Sequence, residues 1–457
     1  MTIFKRLMVS LAALGLATVP AMAAASTKKP HASAAPKSFL PGPRTCFWFN
    51  GPFSADPYIN IAYPDQAAFY WSAAFNIPKG ATLSIEGSFA HARYQSFVSY
   101  DELGRAVEGL ADFQMDPLPG STNPYRLGAD RMAPQRSYRV TVVDQPVSGL
   151  DTSEGRAQRD TRATINAPQN ADGYQTIIYR IYANDRGTNE SGGVPMPEAV
   201  LRMADGRVLR GAAACDALGS RRSNVGRPQV LNVSAENYRA IKNPPGKPAT
   251  WPATYEPEWH VQHTRAETLS MFTDSHNRET KRGDGGFYPN TDNRYIRTMV
   301  SLRYGPTILI RGRAPTTPRT FNGDRKMGGG QLRYWSICSN NLFVNSRVNA
   351  CLYDEHIPVD AKGMYTIVAS KAKDRPRNAR TECGLAWLQL PDDGDGLGDA
   401  DFSLITIRHM LAEPGFKEAA QNIMSDAELP KMAGYLPKAQ YGMVNLIETL
   451  YPCPLPR

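Results

Sequence analysis

Apolar positions between residues 47 and 210 come in short runs bounded by glycine or proline, without the three- to four-residue rhythm of an amphipathic helix. Residues 47–53 are aromatic, 70–77 are apolar and 82–85 alternate, and 95–100 and 138–143 follow in the same style, a pattern that predicts strands. Residues 116–124, with Pro117, Pro119, Gly120 and Asn123, read as a long structured loop. The polar stretch 144–172 has no period and reads as an insertion between strands. Residues 176–182 then form a buried strand with Arg180 inside its apolar run, and a hairpin around Asp205-Gly206 ends a first domain near residue 210. The same grammar returns at 307–310, 332–338, 365–369, 385–390 and 404–407, where Arg408 closes an apolar run as Arg180 does.

Between the two sets, residues 211–286 differ in character. A proline-rich passage around Asn243-Pro244-Pro245-Gly246 leads into an expected helix over 258–272. Trp251, Tyr255 and Trp259 imply that this bridge is packed across both domains, because each ring buries on the order of 150–250 Å². Beyond Met410 the pattern turns helical, over 416–424, after Asp426 and over 441–450, with a break at Leu436-Pro437.

The two sets are copies of one another. At a constant offset of 225 positions, Tyr63-Pro64-Asp65 matches Tyr288-Pro289-Asn290, Tyr70 matches Tyr295, and Gly80-x-Thr82-x-x-Ile85-x-Gly87 matches Gly305-x-Thr307-x-x-Ile310-x-Gly312. Arg93-Tyr94-x-Ser96 recurs as Arg333-Tyr334-Trp335-Ser336, where the offset has grown to 240. The second copy therefore carries about 15 extra residues in a loop between Gly312 and Arg333. At these motifs, and at Ser121-Thr122-Asn123-Pro124-Tyr125, the chain resembles bacterial exported proteins of unknown function built from paired β-sandwich domains. The resemblance spans much of residues 46–412 and implies a mainly β fold, without supplying catalytic residues. The expected architecture is two tandem duplicated, jelly-roll-like β-sandwiches over 46–210 and 287–412, a bridging segment over 211–286 and C-terminal helices over 413–457.

Length agrees with this division, since 457 residues exceed what one core usually organises. Lys5 and Arg6, the apolar run 7–19 and Ala21-Met22-Ala23 read as an export signal cleaved after Ala23, followed by a flexible leader over 24–45. The expected location is periplasmic or secreted, with no transmembrane span after cleavage. Six cysteines in an exported chain favour disulfides, with Cys338–Cys351 preferred and Cys46–Cys453 expected to tie the ends together. The formal charge of +9 suits acidic glycans or anionic surfaces as well as ordinary solvation, and the compartment disfavours nucleic acid.

Candidate chemistry is sparse. Arg93 and Arg333 open strands after loops and could anchor a carboxylate or sugar hydroxyl, with ring surface from Tyr94, Tyr334 and Trp335; alternatively each arginine pairs internally and fixes the fold. Residues 353–356 read first as a turn of solvated charges; on a strand instead, Asp354 and His356 could share one face with Glu355 on the other, and with Asp101 or Asp112 they would supply a general acid–base set if the domains face each other. Glu258-x-His260-x-x-His263, with His276 beyond, is the histidine cluster, but it lacks the zinc-protease signature. Asp393, Asp395, Asp399 and Asp401 lie in a glycine-punctuated loop that could hold calcium, the one cofactor in view. No nucleophile elbow, P-loop or dinucleotide fingerprint occurs. The leading expectation is a protein binding a glycan or other cell-envelope molecule between its domains. A carboxylate-dependent hydrolase or lyase and a non-catalytic envelope protein are the alternatives.

Overall fold

The computed structural model describes residues 40–145, 162–220, 234–243, 256–263, 277–283, 288–342 and 345–453. Among the described residues the first copy has ten strands: β1 (Asn50–Phe53), β2 (Ala68–Phe75), β3 (Thr82–Ser88), β4 (Ala92–Tyr100), β5 (Ala106–Ala111), β6 (Ser137–Val143), β7 (Thr164–Asn166), β8 (Gln175–Asn184), β9 (Glu198–Arg202) and β10 (Val208–Leu209). They make two sheets, ordered β1-β2-β8-β4-β5 and β10-β9-β3-β6-β7. Helix α1 (Gly211–Leu218) packs beside them, and α2 (Ala235–Lys242) follows.

The second copy has β11 (His260–Val261), β12 (Asn293–Ser301), β13 (Thr307–Arg313), β14 (Leu332–Asn340), β15 (Val348–Tyr353), β16 (Met364–Ser370), β17 (Ala386–Gln389), β18 (Phe402–Ala412) and β19 (Lys438–Gly442), then helix α3 (Val444–Leu450). Its sheets run β11-β12-β18-β14-β15 and β17-β16-β13-β19. The order is that of the first copy except that β10 has no counterpart among the described residues, and the correspondence includes a parallel pair in each, β6 with β7 and β16 with β17. The fold is therefore mainly β, with tandem β-sandwiches.

Alternation explains the layering. On β8, Ile177, Tyr179 and Ile181 enter the first core with Trp48, Trp71 and Phe97, while Arg180 and Tyr182 point the other way, toward the second copy. Trp48 stacks on Phe97 at 6.0 Å, and Phe97 on Tyr179 at 5.0 Å. On β18, Ile405 and Ile407 enter the second core while Arg408 and Met410 face the first copy. Both faces of the central strands are thus covered, which is why they read as unbroken apolar runs.

The last glycine of the repeated Gly-x-Thr-x-x-Ile-x-Gly has a packing reason. Gly87 lies opposite Tyr138 and Gly312 opposite Tyr365 across the strand pair. A Cβ added at either glycine would sit 2.8 Å from the tyrosine oxygen, with Pro197 or Pro437 closing the other side. Both rings are buried and cannot swing away. Gly87→Ala and Gly312→Ala are each expected to cost about 1–3 kcal/mol by overpacking. Urea unfolding of both variants measures this, and a cost under about 0.5 kcal/mol would show that the rings yield freely.

Several boundaries differ from the sequence reading. The first copy extends past residue 210, because Ala214, Cys215 and Leu218 of α1 join its core. His260 and Val261 form a strand on β12, and none of residues 258–263 is helical; residues 264–272 of the expected helix lie outside the described residues, as do Trp251 and Tyr255 of the proline-rich passage before it. Trp259 is buried in the second core. The second copy does not end at 412: β19 completes its outer sheet as the counterpart of β9, so residues 438–442 are strand. Of the helix expected over 416–424, only a turn at Ala420–Asn422 forms. Local composition could not reveal that β13 needs an edge partner from so far along the chain.

Three disulfides are present: Cys46–Cys215, Cys338–Cys351 and Cys383–Cys453. Cys338 and Cys351 face each other across β14 and β15, as expected from their neighbouring strands. The expected Cys46–Cys453 bond is replaced by one bond within each copy's own periphery, Cys46 fastening α1 and Cys453 fastening the segment after α3. Among the described residues, no helix is long and apolar enough to cross a membrane.

Candidate binding cleft between the two copies

The copies grip each other reciprocally. Tyr63 and Tyr288, matched residues of the repeat, both adopt left-handed backbone, with φ of 52° and 50°. This conformation, costly for a side chain larger than glycine, aims each carbonyl at the opposite copy. Arg408 donates to the Tyr63 carbonyl at 3.3 Å and Arg180 to the Tyr288 carbonyl at 2.8 Å. Tyr334 donates to Asp65 at 2.9 Å, and Tyr94 donates to Asp292 at 2.6 Å. Tyr94, Tyr334 and Trp335 are all fully buried, the tyrosines between the copies and Trp335 within the second core.

The arginines of the repeated motif complete the exchange. Arg93 of the first copy pairs with Asp354 of the second, and Arg333 of the second pairs with Asp112 of the first. Asp112 and Asp354 are equivalent: each accepts the backbone amide two positions after its own copy's motif arginine, from Gln95 and Trp335 respectively. The extra loop of the second copy breaks this symmetry. Its Thr320 accepts from Arg93 at 3.0 Å, and its Phe321 and Asn322 amides donate to Glu355, which also pairs with Arg93. Arg93 is 0% exposed; burial opposes its charge, but Asp354 and Glu355 outweigh that and raise it above the ordinary arginine value. Glu355, not His356, is thus the residue that joins Asp354 on Arg93, because residues 354–356 form a tight 3₁₀ turn, as the turn reading of this stretch expects, and not a strand on which Asp354 and His356 would share a face.

Arg333 has the opposite setting. Its side chain is 15% exposed, and its contacts are long: 3.3 Å to Asp112, 3.4 Å to the Arg93 carbonyl and 3.3 Å to the Tyr125 carbonyl. It lines a cleft of about 390 Å³ between the copies, walled by Phe113, Tyr125, Arg126 and Leu127 from the first, and by Met327, Gly328–Gly330, Leu332, Leu411 and Glu413 from the second. That volume is at the lower end of small-ligand sites, and the lining is an almost even mixture of polar and apolar surface, more polar than most such sites. Behind Arg333, burial pushes the Asp112 carboxyl up to about 7, against the pull of Arg333 and of the Gln95 and Phe113 amides; the Asp292 charge adds to the upward push.

The other candidate residues lie elsewhere. Asp101 sits in the turn after β4, paired with Arg105. His356 packs against the Tyr353 ring at a tilt and meets Phe321 edge-on. In the acidic loop, Asp395 accepts the Leu397 and Asp399 amides and the Tyr238 hydroxyl, Asp399 pairs with Lys242 of α2, Asp393 accepts from Asn341, and Asp401 lies 3.9 Å from Lys371. These carboxylates are turned to protein donors and do not converge on a common point; among the described residues, the one gathering of metal-type ligands is Asp65 with the bonded Cys338 and Cys351. His260 and His263 both address Asp426, at 2.6 and 3.5 Å, and hold that buried carboxyl well below its usual value although burial pushes it up. His276 lies outside the described residues. Sequence reasoning missed Asp65, Arg126, Glu413 and the three glycines, although the growth of the repeat offset marks the loop that brings the glycines to the cleft.

No family model matches the chain, and no curated protein matches it significantly. Among solved structures, an uncharacterized protein from Burkholderia cenocepacia is similar over 85% of this chain and 79% of that one, at 11% identity and a TM-score of 0.44. A protein from Vibrio parahaemolyticus is similar over 83% of this chain and 90% of its own, at 11% identity and a TM-score of 0.38.

Proposed function

We propose that the chain is an exported binding protein whose ligand, an acidic glycan unit or another carboxylate-bearing molecule of the cell envelope, seats in the cleft with its anion on Arg333. The observation that carries this reading is the inequality of two equivalent arginines: Arg93 is sealed between two carboxylates, while Arg333 faces a cavity with one long carboxylate contact. A guanidinium so placed has donors to spare for a planar anion. Three disulfides and the signal-like first residues support export.

The test is a thermal-shift and calorimetric comparison of uronic acids and short carboxylates with their neutral counterparts. A true ligand at 100 times its Kd stabilises by about 2.7 kcal/mol. Arg333→Gln is expected to weaken binding by a factor of about 10 to 100, the loss of a charge-assisted pair. Equal shifts by acidic and neutral compounds, unchanged in Arg333→Gln, would remove the reading.

Binding should also depend on pH. An anion in the cleft competes with ionised Asp112 for Arg333, so binding takes up a proton and tightens as pH falls from about 8 to about 6. Stability carries the same sign: a folded-state value above the ordinary carboxylate range of about 4 means that Asp112 favours folding most at low pH, and this contribution fades as pH rises toward about 7. Asp112→Asn should flatten the binding profile, and an unchanged slope would exclude Asp112 as its source. The same carboxyl is the observation that favours a second reading, acid–base hydrolysis or lysis. Turnover with a bell-shaped pH profile, lost in Asp112→Asn but retained by Asp101→Asn, would establish it.

A further inference from the structure

Three consecutive glycines, Gly328, Gly329 and Gly330, line the cleft beside Arg333. The chain reaches them from a short antiparallel bridge with the first copy, where the Met327 amide donates to Ala129 at 3.0 Å and the Gly128 amide donates to Met327 at 2.9 Å. It leaves them for β14 at Leu332, whose amide donates to Thr316. Between these points, no group among the described residues pairs with the N–H or C=O of the three glycines.

None of the three has positive φ, so conformation does not demand glycine. Gly330 is required by close approach, since a Cβ there would lie 2.6 Å from the Thr316 carbonyl. Gly328 and Gly329 have room, with the nearest atoms at 3.8 and 3.6 Å. Their bare backbone is therefore open to whatever occupies the cleft. Gly329 is exposed and Gly328 and Gly330 are half-buried, so water meets these peptide groups until a ligand displaces it.

We propose that the cleft takes an extended peptide with a free C-terminal carboxylate, its main chain pairing with residues 328–330 and its carboxylate on Arg333. This rests on the reading of Arg333 as an anion anchor and names the ligand class for it. Main-chain pairing with an exposed extended segment, combined with capture of a terminal carboxylate, is a recurrent mode of peptide recognition. Glu413 also lines the cleft and adds a carboxylate, the chemistry that accepts from a peptide N–H or ammonium. An acidic sugar would satisfy the guanidinium and could meet single peptide groups with its hydroxyls, but it lacks the regularly spaced N–H and C=O groups that pair along an extended segment.

The experiment uses the intact mature chain and a fluorescently labelled alanine tripeptide in four arms: free acid, C-terminal amide, free acid N-methylated at the amide nitrogen of the middle residue, and free acid against Arg333→Gln. The free acid should bind, and each of the other three arms should weaken binding about tenfold or more. A Gly329→Val variant, whose side chain meets the exposed Leu127 and not the core, should keep its unfolding midpoint and lose the peptide. If the N-methylated acid binds as well as its parent, main-chain pairing is overturned while the anion site stands. If a uronate dimer binds through Arg333 and the peptide does not, the ligand class is overturned in favour of an acidic sugar. If neither binds and Arg333→Gln changes nothing, the underlying anion-site reading falls as well.

Discussion

Asp65→Ala is expected to lower the unfolding free energy by about 3–5 kcal/mol, among the largest single-site losses in the molecule. Asp65 is fully buried between the copies and accepts from Arg408, from Tyr334 at 2.9 Å and from Ser336 at 2.7 Å, while its other oxygen takes the Ala67 amide at 2.9 Å. Burial works against the Arg408 charge, and Asp65 more than reverses this, holding the guanidinium well above its ordinary value. Removing the carboxylate leaves that cation with only neutral partners, the Ser336 hydroxyl at 3.1 Å, the Tyr63 carbonyl and the Tyr295 ring face at 5.2 Å. The cost comes from stranding a charge, not from the intrinsic worth of the pair, so it should be partly reversible. Asp65→Ala combined with Arg408→Met is expected to recover at least half of the loss, because an apolar replacement of both partners removes the stranded charge. Urea unfolding of the two single variants and the double variant measures the coupling. A single-variant loss below about 1 kcal/mol would mean that water reaches Arg408 and the interface is not sealed.

Arg93→Met should cost a similar amount, about 3–5 kcal/mol at neutral pH, because it leaves Asp354 and Glu355 side by side in a buried site. The Trp335, Phe321 and Asn322 amides remain as donors but carry no full charge. Two carboxylates without a counter-cation bind protons more readily when folded than when unfolded, so the deficit should shrink as pH falls toward about 4. The matched substitution Arg333→Met should cost only about 1 kcal/mol, since that side chain is partly solvated and its three contacts are long. The contrast is the informative result: the same residue of the same motif, decisive for folding in one copy and nearly dispensable in the other. Equal losses at the two positions would show that the fold engages Arg333 as firmly as Arg93, leaving no spare donor for a ligand.

This asymmetry bears on how duplication can produce a site. Two copies joined by exchanged arginines would close both positions alike. The extra residues between β13 and β14 seal Arg93 through Thr320, Phe321 and Asn322, and the same segment carries Gly328–Gly330 to the rim of the cleft at Arg333. One insertion therefore completes a structural lock and borders the cavity.

Much of this was legible in the chain itself. Period-two alternation and runs such as residues 176–182 determined the strands, because a strand covered on both faces must be apolar or internally paired at nearly every position. The constant offset of the repeat determined that two sandwiches of one topology exist, and the position of Cys338 and Cys351 on neighbouring strands determined their bond. Tertiary structure decided what depends on partners remote in sequence. β19 is strand because β13 lacks an edge, Cys46 bonds Cys215 because α1 folds back on the first core, and Arg93 pairs across 261 positions with Asp354. No local signal distinguishes Arg93 from Arg333, since both open a strand with Arg-Tyr-x-Ser. Their difference lies in what the surrounding chain brings to each guanidinium, and desolvation and charge pairing are settled only when distant segments meet.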